Sequence, residues 1–178
     1  MMKIGLFYGS STGNTEDAAK RIAAVLRTVS GVSVDLFEIS HKNIDKLPQY
    51  AKLILGIPTW DIGELQEDWA RLLPFFQQLD LTGKQVALFG CGDQYGYPDT
   101  YQDAMGLMAQ HCRNQGATLV GAWPADGYDF MESQAVEDGR FLGLALDDNQ
   151  RKLTPKRIQI WVQQLIEEFA LRVSVTYA

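Results

Sequence analysis

The stretch KIGLFYGSSTGNTE, residues 3–16, decides the fold. It begins with a short run rich in apolar and aromatic residues, which is typical of a buried strand. After Asn14, Ala18, Ile22 and Leu26 recur at every fourth position, which predicts a helix with one apolar face. A strand that passes through a turn of glycines and hydroxyl residues into a helix indicates the first β-α unit of an α/β protein.

The rest of the chain repeats this alternation. Short apolar runs predict further strands at Val32–Ile39, Lys52–Ile57, Gln85–Gly90 and Thr118–Ala122. Apolar residues at helical spacing predict helices over Glu67–Gln78, over Tyr101–Cys112, and from Thr154 onward, with Thr154 as the N-cap and Pro155 in the first turn. Short connections between alternating elements predict a doubly wound parallel sheet of five strands with helices on both faces.

One segment interrupts the alternation. Residues 126–140 are polar and acidic, and a second strand-like run follows at Phe141–Leu146. We interpret the segment as an insertion that splits the fifth strand. The 178 residues fit a single domain, 1–178, of ordinary size.

Composition excludes several classes of protein. The net charge of −6 argues against nucleic acid as a partner, and no run approaches the roughly 20 apolar residues of a membrane span. The N-terminus lacks the pattern of a secretory signal, so we expect a cytoplasmic protein. We also expect a monomer. Cys91 and Cys112 form no C-x-x-C, and neither they nor the two histidines have metal-ligand spacing, so no metal site is expected.

The negative charge is concentrated in one segment. Residues 61–103, the acidic segment, carry eight acids and two bases, whereas the other 14 acids and 14 bases cancel. This distribution predicts a polarised surface that could steer a basic partner. The basic residues near position 151 follow Asp147 and Asp148, and local ion pairing is the simplest interpretation of them. The acids of the segment are Asp61, Glu64, Glu67, Asp68, Asp80, Asp93, Asp99 and Asp103.

The loop after the first strand, residues 9–15, has the composition of an anion site. It holds four hydroxyl residues and two glycines at a helix N-terminus, where backbone N–H groups and the helix dipole favour a phosphate. It lacks the lysine of a nucleotide-hydrolysing P-loop and is not G-x-G-x-x-G. Binding would therefore depend on neutral donors.

Two more loops follow strand ends. Residues 58–65 place Trp60 where it can stack on a planar group, and residues 90–97 form a glycine-rich loop with Tyr95 and Tyr97.

With the tail Gly143–Asp147, these three loops resemble the flavodoxin family, over essentially the whole chain, and the split fifth strand resembles its long-chain subgroup of bacteria and algae. The resemblance implies a flavodoxin-like sheet of order 2-1-3-4-5 and a non-covalently bound FMN. It also implies a low-potential carrier of single electrons rather than an enzyme. The implied partners are an NADPH-dependent flavodoxin/ferredoxin reductase and electron-acceptor proteins, which would bind at an acidic face.

The resemblance also assigns site residues. The flavin ring would lie between Trp60 and Tyr97, with Tyr95 as the competing candidate for the stack. The FMN phosphate would contact the loop that contains Ser10, Ser11, Thr12, Gly13, Asn14 and Thr15. The ring edge would be lined by Pro58, Thr59, Asp61, Gly63, Gly90, Cys91, Gly92 and Asp93, with Gln102 reaching toward it.

Two positions depart from the family pattern. Asn14 stands where many members have Lys, which predicts weaker binding of the phosphate. Asp61 follows Trp60 where Asn or Gly is frequent, which predicts a changed redox balance. The alternative function is that of an FMN-dependent NAD(P)H:quinone oxidoreductase, which would oxidise NADH without an added reductase, but rings on both faces of the flavin would block its substrates.

Overall fold

The computed structural model describes residues 1–171. Its strands are β1 (Met2–Tyr8), β2 (Val32–Glu38), β3 (Lys52–Gly56), β4 (Thr59–Trp60), β5 (Glu64–Leu65), β6 (Gln85–Gly92), β7 (Thr118–Val120), β8 (Trp123–Pro124), β9 (Val136–Glu137), β10 (Arg140–Phe141) and β11 (Leu144–Asp147). Its α-helices are α1 (Asn14–Leu26), α2 (Glu67–Phe76), α3 (Asp103–Asn114) and α4 (Thr154–Glu168), and two 3₁₀ helices span Ile44–Gln49 and Asp148–Leu153.

The central sheet confirms the predicted parallel order. β2, β1, β3 and β6 lie side by side, and both β7 and β11 pair with β6. β7 pairs with the first three residues of β6 and β11 with its last four, so these two short strands together occupy the fifth position. The fifth strand is therefore split, as the sequence predicted.

Helices cover the sheet because its strands are apolar on both faces. β1, β3 and β6 are almost entirely buried, as expected for central strands of a parallel sheet. Right-handed crossovers in opposite directions from β1 and β3 place α1 on one face and α2 and α3 on the other. α4 returns to pack against α1, with Trp161 fully buried.

The insertion is longer than predicted. It occupies residues 121–143 rather than 126–140, and it contains a small antiparallel sheet in which β10 lies between β8 and β9. Phe141 pairs with Trp123 and Val136 in this small sheet, so its assignment to the fifth strand is wrong. An apolar run shows that a residue is buried but not which neighbour it pairs with.

The start of α4 also differs from the prediction. The 3₁₀ helix before it leads directly into α4, and Thr154 has helical dihedral angles, φ −54° and ψ −49°. Leu153 occupies the N-cap position and makes no side-chain cap, whereas Pro155 does lie in the first turn. Thr154 cannot cap because a cap residue needs extended backbone.

No helix within residues 1–171 is both long and apolar enough to cross a bilayer.

Candidate ligand-binding site

A pocket of about 520 Å³ opens at the carboxyl ends of β1, β3 and β6. The connections from β1 and β3 run in opposite directions here, which is where open α/β sheets bind ligands. The volume is within the usual range for small-molecule sites. Its lining residues are Ser10, Ser11, Thr12, Asn14, Thr15, Pro58, Thr59, Trp60, Asp61, Cys91, Gly92, Asp93, Tyr97, Thr100, Tyr101, Gln102, Asp148 and Arg151.

One end of the pocket is formed by the hydroxyl-rich loop. Gly13, at φ +89°, occupies the N-cap of α1 and offers no side chain to the first N–H groups of the helix. The Ser10 hydroxyl oxygen accepts hydrogen bonds from Gly13 N at 3.1 Å and Glu16 N at 3.4 Å. The Ser10 hydroxyl hydrogen therefore remains available to an anion. Gly13 itself does not line the pocket but shapes the turn.

Gln66, at the start of α2, holds this loop in place through a hydrogen bond to Ser11, and the sequence did not predict this role. Its Nε2 donates to Ser11 Oγ at 3.1 Å and to Asp68 Oδ2 at 2.9 Å, and its Oε1 accepts from Asp68 N and Trp69 N as the N-cap of α2. The side chain is buried, so both groups depend on these partners. Gln is not a favoured cap residue, and no signal in the sequence connects position 66 to the first loop.

The Trp60 loop is a two-strand hairpin closed by residues 61–63. Asp61 and Gly63 both adopt left-handed backbone, at φ +45° and +79°. Asp61 therefore already occupies a conformation that costs a non-glycine residue energy. Thr59 Oγ1 accepts from Ala104 N at 3.1 Å, which attaches the hairpin to the start of α3.

Gly63 lies behind the pocket rather than in its wall. A Cβ there would approach Asp103 Oδ2 to 3.1 Å and Thr100 Cβ to 3.2 Å, in addition to its left-handed backbone. Gly63 thus serves the turn and its packing on α3.

The tyrosine loop is held by a single carboxylate oxygen. Asp93 Oδ1 accepts from Tyr95 N at 3.1 Å, Gly96 N at 2.7 Å and Asn149 Nδ2 at 2.8 Å. The bond from Asn149, followed by that from Gly96, holds the pKa of Asp93 below its usual value. These hydrogen bonds therefore favour the ionised form of Asp93.

The two tyrosines have different positions. Tyr97 lines the pocket, whereas Tyr95 is 60% exposed and lies outside the lining. Neither Trp60 nor Tyr97 contacts another aromatic ring within residues 1–171, so both rings are available to a planar ligand. This arrangement favours Tyr97 over Tyr95 as the stacking residue.

Gln102 forms the floor of the pocket, and Gly90 packs beneath it. Gln102 is buried with φ +60°, and its Nε2 donates to Gly90 O at 3.2 Å and Leu146 O at 3.3 Å, joining β6 to β11. Its Oε1 is buried without a hydrogen-bond partner. Gly90 does not line the pocket, and a Cβ there would approach Gln102 Oε1 and Ile57 O to 2.5 Å. Gly90 is therefore required for packing beneath the floor.

Cys91 lines the pocket between these loops. Burial raises the pKa of its thiol to about 12, so the thiol is protonated at neutral pH. A protonated thiol is a poor nucleophile, which agrees with a packing role.

Four lining residues were not predicted: Thr100, Tyr101, Asp148 and Arg151. The Tyr101 hydroxyl is buried and has no hydrogen-bond partner, and burial raises its pKa. Partial burial also raises the pKa of Asp148. Asp148 and Arg151 come from the 3₁₀ helix after β11, and only the pairing of β11 with β6 brings them to the pocket.

The expected local pairing of Arg151 is weak. Its Nη2 lies 3.9 Å from Asp148 Oδ1, and its side chain is 69% exposed. Asp147 is buried and accepts from Gln94 N and Asn149 N instead.

The fold and the site define a doubly wound α/β protein with a ligand pocket at the switch point of its sheet. The flavodoxin family model matches residues 6–161. A flavodoxin of Picosynechococcus is 48% identical over 96% of this chain and 100% of its own length. Flavodoxin 1 of Escherichia coli is 45% identical over 94% of each chain. The chain belongs to the flavodoxin family.

Solved structures agree with this assignment. The crystal structure of Fusobacterium nucleatum flavodoxin bound to flavin mononucleotide matches with a TM-score of 0.87 and 30% identity, over 94% of this chain and 99% of that one. Oxidised flavodoxin 2 from Bacillus cereus matches with a TM-score of 0.71 and 26% identity, over 94% of this chain and 99% of that one.

Proposed function

We propose that this chain binds one FMN non-covalently and carries single electrons at low potential between partner proteins. One observation carries the proposal: a single pocket joins a hydroxyl-rich helix N-terminus to two loops that present unpaired aromatic rings. The family and the FMN-bound structural relative support FMN as the cofactor.

The residues of the pocket fit the chemistry of FMN. The loop at residues 10–15 supplies neutral donors suited to a phosphate that is bound but not hydrolysed. Trp60 and Tyr97 supply flat apolar surfaces for a planar ring system.

Bound FMN would supply the one-electron chemistry, and the protein would set how readily it occurs. Asp61 and Asp93 line the pocket, and their negative charges oppose the arrival of further negative charge at the ring. One unit charge at about 4 Å is worth roughly 1 to 4 kcal/mol between water and a protein surface. The pocket therefore favours a low reduction potential. The two aromatic side chains would keep water and bulky substrates from the ring faces.

The acidic segment supplies the proposed docking face. Asp61, Glu64, Glu67 and Asp99 are exposed near the carboxyl ends of the strands, whereas Asp80 lies before β6, beside residues 115–116 at the opposite edge of the sheet. Asp103 is not part of this face, because it is buried and accepts a hydrogen bond from Gln134 N. We infer binding to a basic NADPH-dependent flavodoxin/ferredoxin reductase and to acceptor proteins, by a cytoplasmic monomer.

The test is anaerobic stepwise reduction of the FMN-reconstituted protein, followed by absorbance. Two separable one-electron steps are expected. Electron transfer from the purified reductase should also slow as salt rises, because opposite charges steer the encounter. Failure to bind FMN would overturn the proposal, and oxidation of NADH without a reductase would instead indicate the quinone oxidoreductase.

A further inference from the structure

The phosphate end of the pocket lacks a base in its own loop. Residues 10–15 contain no Lys or Arg, and Asn14 opens α1. Among the described residues that line the pocket, Arg151 is the one basic side chain, against the acids Asp61, Asp93 and Asp148. Arg151 therefore supplies the one full positive charge in the described pocket wall, in addition to the partial charge of the N-terminus of α1.

Arg151 lies on the phosphate side of the pocket. Asp148 Oδ1 accepts a hydrogen bond from Asn14 Nδ2 at 3.4 Å, and the same oxygen is 3.9 Å from Arg151 Nη2. Arg151 also lines an adjoining pocket of about 200 Å³, whose wall includes Asn14, Ala18 and Arg21 of α1. Arg21 is paired with Asp17 at 2.7 Å and does not line the larger pocket. The guanidinium therefore stands beside the first turn of α1.

The guanidinium is not committed to another partner. An exposed ion pair at 3.9 Å contributes little to stability. The Arg151 side chain can therefore turn from Asp148 toward a stronger anion at a small cost in free energy. A phosphate dianion offers two oxygens to the planar guanidinium, so it competes well with a single distant carboxylate oxygen.

We propose that Arg151 binds the phosphate of FMN and supplies the charge that the loop lacks at Asn14, while Asp148 opposes the phosphate. This inference rests on the proposed binding of FMN. It assigns a phosphate contact to a residue 137 positions from Asn14 in the chain.

The test compares FMN with riboflavin, which has the same ring but no phosphate. Apoprotein is titrated with each flavin at low salt and the quenching of flavin fluorescence gives the dissociation constants. Arg151→Gln should raise the dissociation constant for FMN about tenfold and leave that for riboflavin unchanged. The difference in the dissociation constant for FMN between wild type and Arg151→Gln should shrink at high salt, because the Arg151 side chain is exposed. Asp148→Asn should lower the constant for FMN by about twofold.

Lys152→Gln is the matched control, because Lys152 is exposed and lines neither pocket. The inference is overturned if Arg151→Gln weakens both flavins equally, if it changes neither, or if Lys152→Gln has the same effect. A wild-type protein that binds neither flavin would overturn the proposed function instead.

Discussion

The two ends of the pocket are built in different ways. The end proposed for the phosphate is mainly one continuous loop between β1 and α1, shaped by its own Ser10 and Gly13, with Asp148 and Arg151 beside it. The other end, proposed for the flavin ring, combines three separate parts of the chain, around residues 58–61, 91–97 and 100–102. A continuous site depends on local turn chemistry, whereas an assembled site depends on bonds between elements.

Those bonds at the ring end are specific. Thr59 accepts from Ala104 N, Asp93 accepts from Asn149, and Gln102 donates to the ends of both β6 and β11. Three sets of changes test this comparison: changes to the stacking residues, to Gln66, which ties α2 to the loop at residues 10–15, and to Asp93, whose carboxylate holds the tyrosine loop.

The largest effect is expected from the rings. Trp60→Ala or Tyr97→Ala should weaken binding of FMN and of riboflavin alike, by roughly 10- to 100-fold each, because ring stacking does not involve the phosphate. Titration of apoprotein with both flavins measures this. Tyr95→Ala is the control, since Tyr95 lies outside the lining, and a loss as large as that of Tyr97→Ala would show that the stack is assigned to the wrong tyrosine.

A smaller effect is expected at Gln66, which ties α2 to Ser11. Gln66→Ala removes the N-cap of α2 and the bond to Ser11, so the apoprotein should lose roughly 1 to 2 kcal/mol of unfolding free energy. Because Ser11 belongs to the phosphate loop, FMN binding should weaken more than riboflavin binding. Urea denaturation and flavin titration give the two quantities.

Gln78→Ala is the control for this variant, because Gln78 is exposed just beyond the other end of α2. Equal losses for FMN and riboflavin in Gln66→Ala would contradict the tether to the phosphate loop.

The smallest effect is expected from Asp93. The pKa of Asp93 is lowered in the folded state. Its contribution to the stability of the fold is therefore present above the unfolded pKa of about 3.9 and is lost as pH falls through the folded pKa. The Asn side chain of Asp93→Asn cannot titrate. The free energy of unfolding of the wild type should therefore exceed that of the variant by less than about 1 kcal/mol near neutral pH, and this difference should disappear in acid. Denaturation of both apoproteins across this range measures it. Asp99→Asn controls for the loss of one negative charge from the same loop, and a gap that stays constant with pH would refute the prediction.

The sequence predicted most of the fold for identifiable reasons. The apolar runs at β1, β3 and β6 are buried on both faces, and such strands are the easiest to recognise. Phe141 and Thr154 were misassigned because each has an ordinary local signature that its neighbours override: the small sheet of the insertion for Phe141, and the preceding 3₁₀ helix for Thr154.

The site divides in the same way. The residues of loop 10–15 were predicted together because a strand, a turn and a helix are consecutive, and the turn must lie at the sheet edge. Gln66, Asp148 and Arg151 were not predicted as site residues, because each acts on a loop more than 50 residues away in the chain.

By itself, the sequence determined the alternating α/β architecture, the hydroxyl-rich turn that leads into α1 and the concentration of acid in residues 61–103. These follow from periodicity, turn chemistry and charge, which act over a few residues. Only the tertiary structure decided that Tyr97 rather than Tyr95 lines the pocket, that Asp103 is buried, and that Arg151 stands beside the phosphate loop. Those outcomes depend on which strand ends meet at one edge of the sheet, because side chains distant in the chain interact only once that edge has formed.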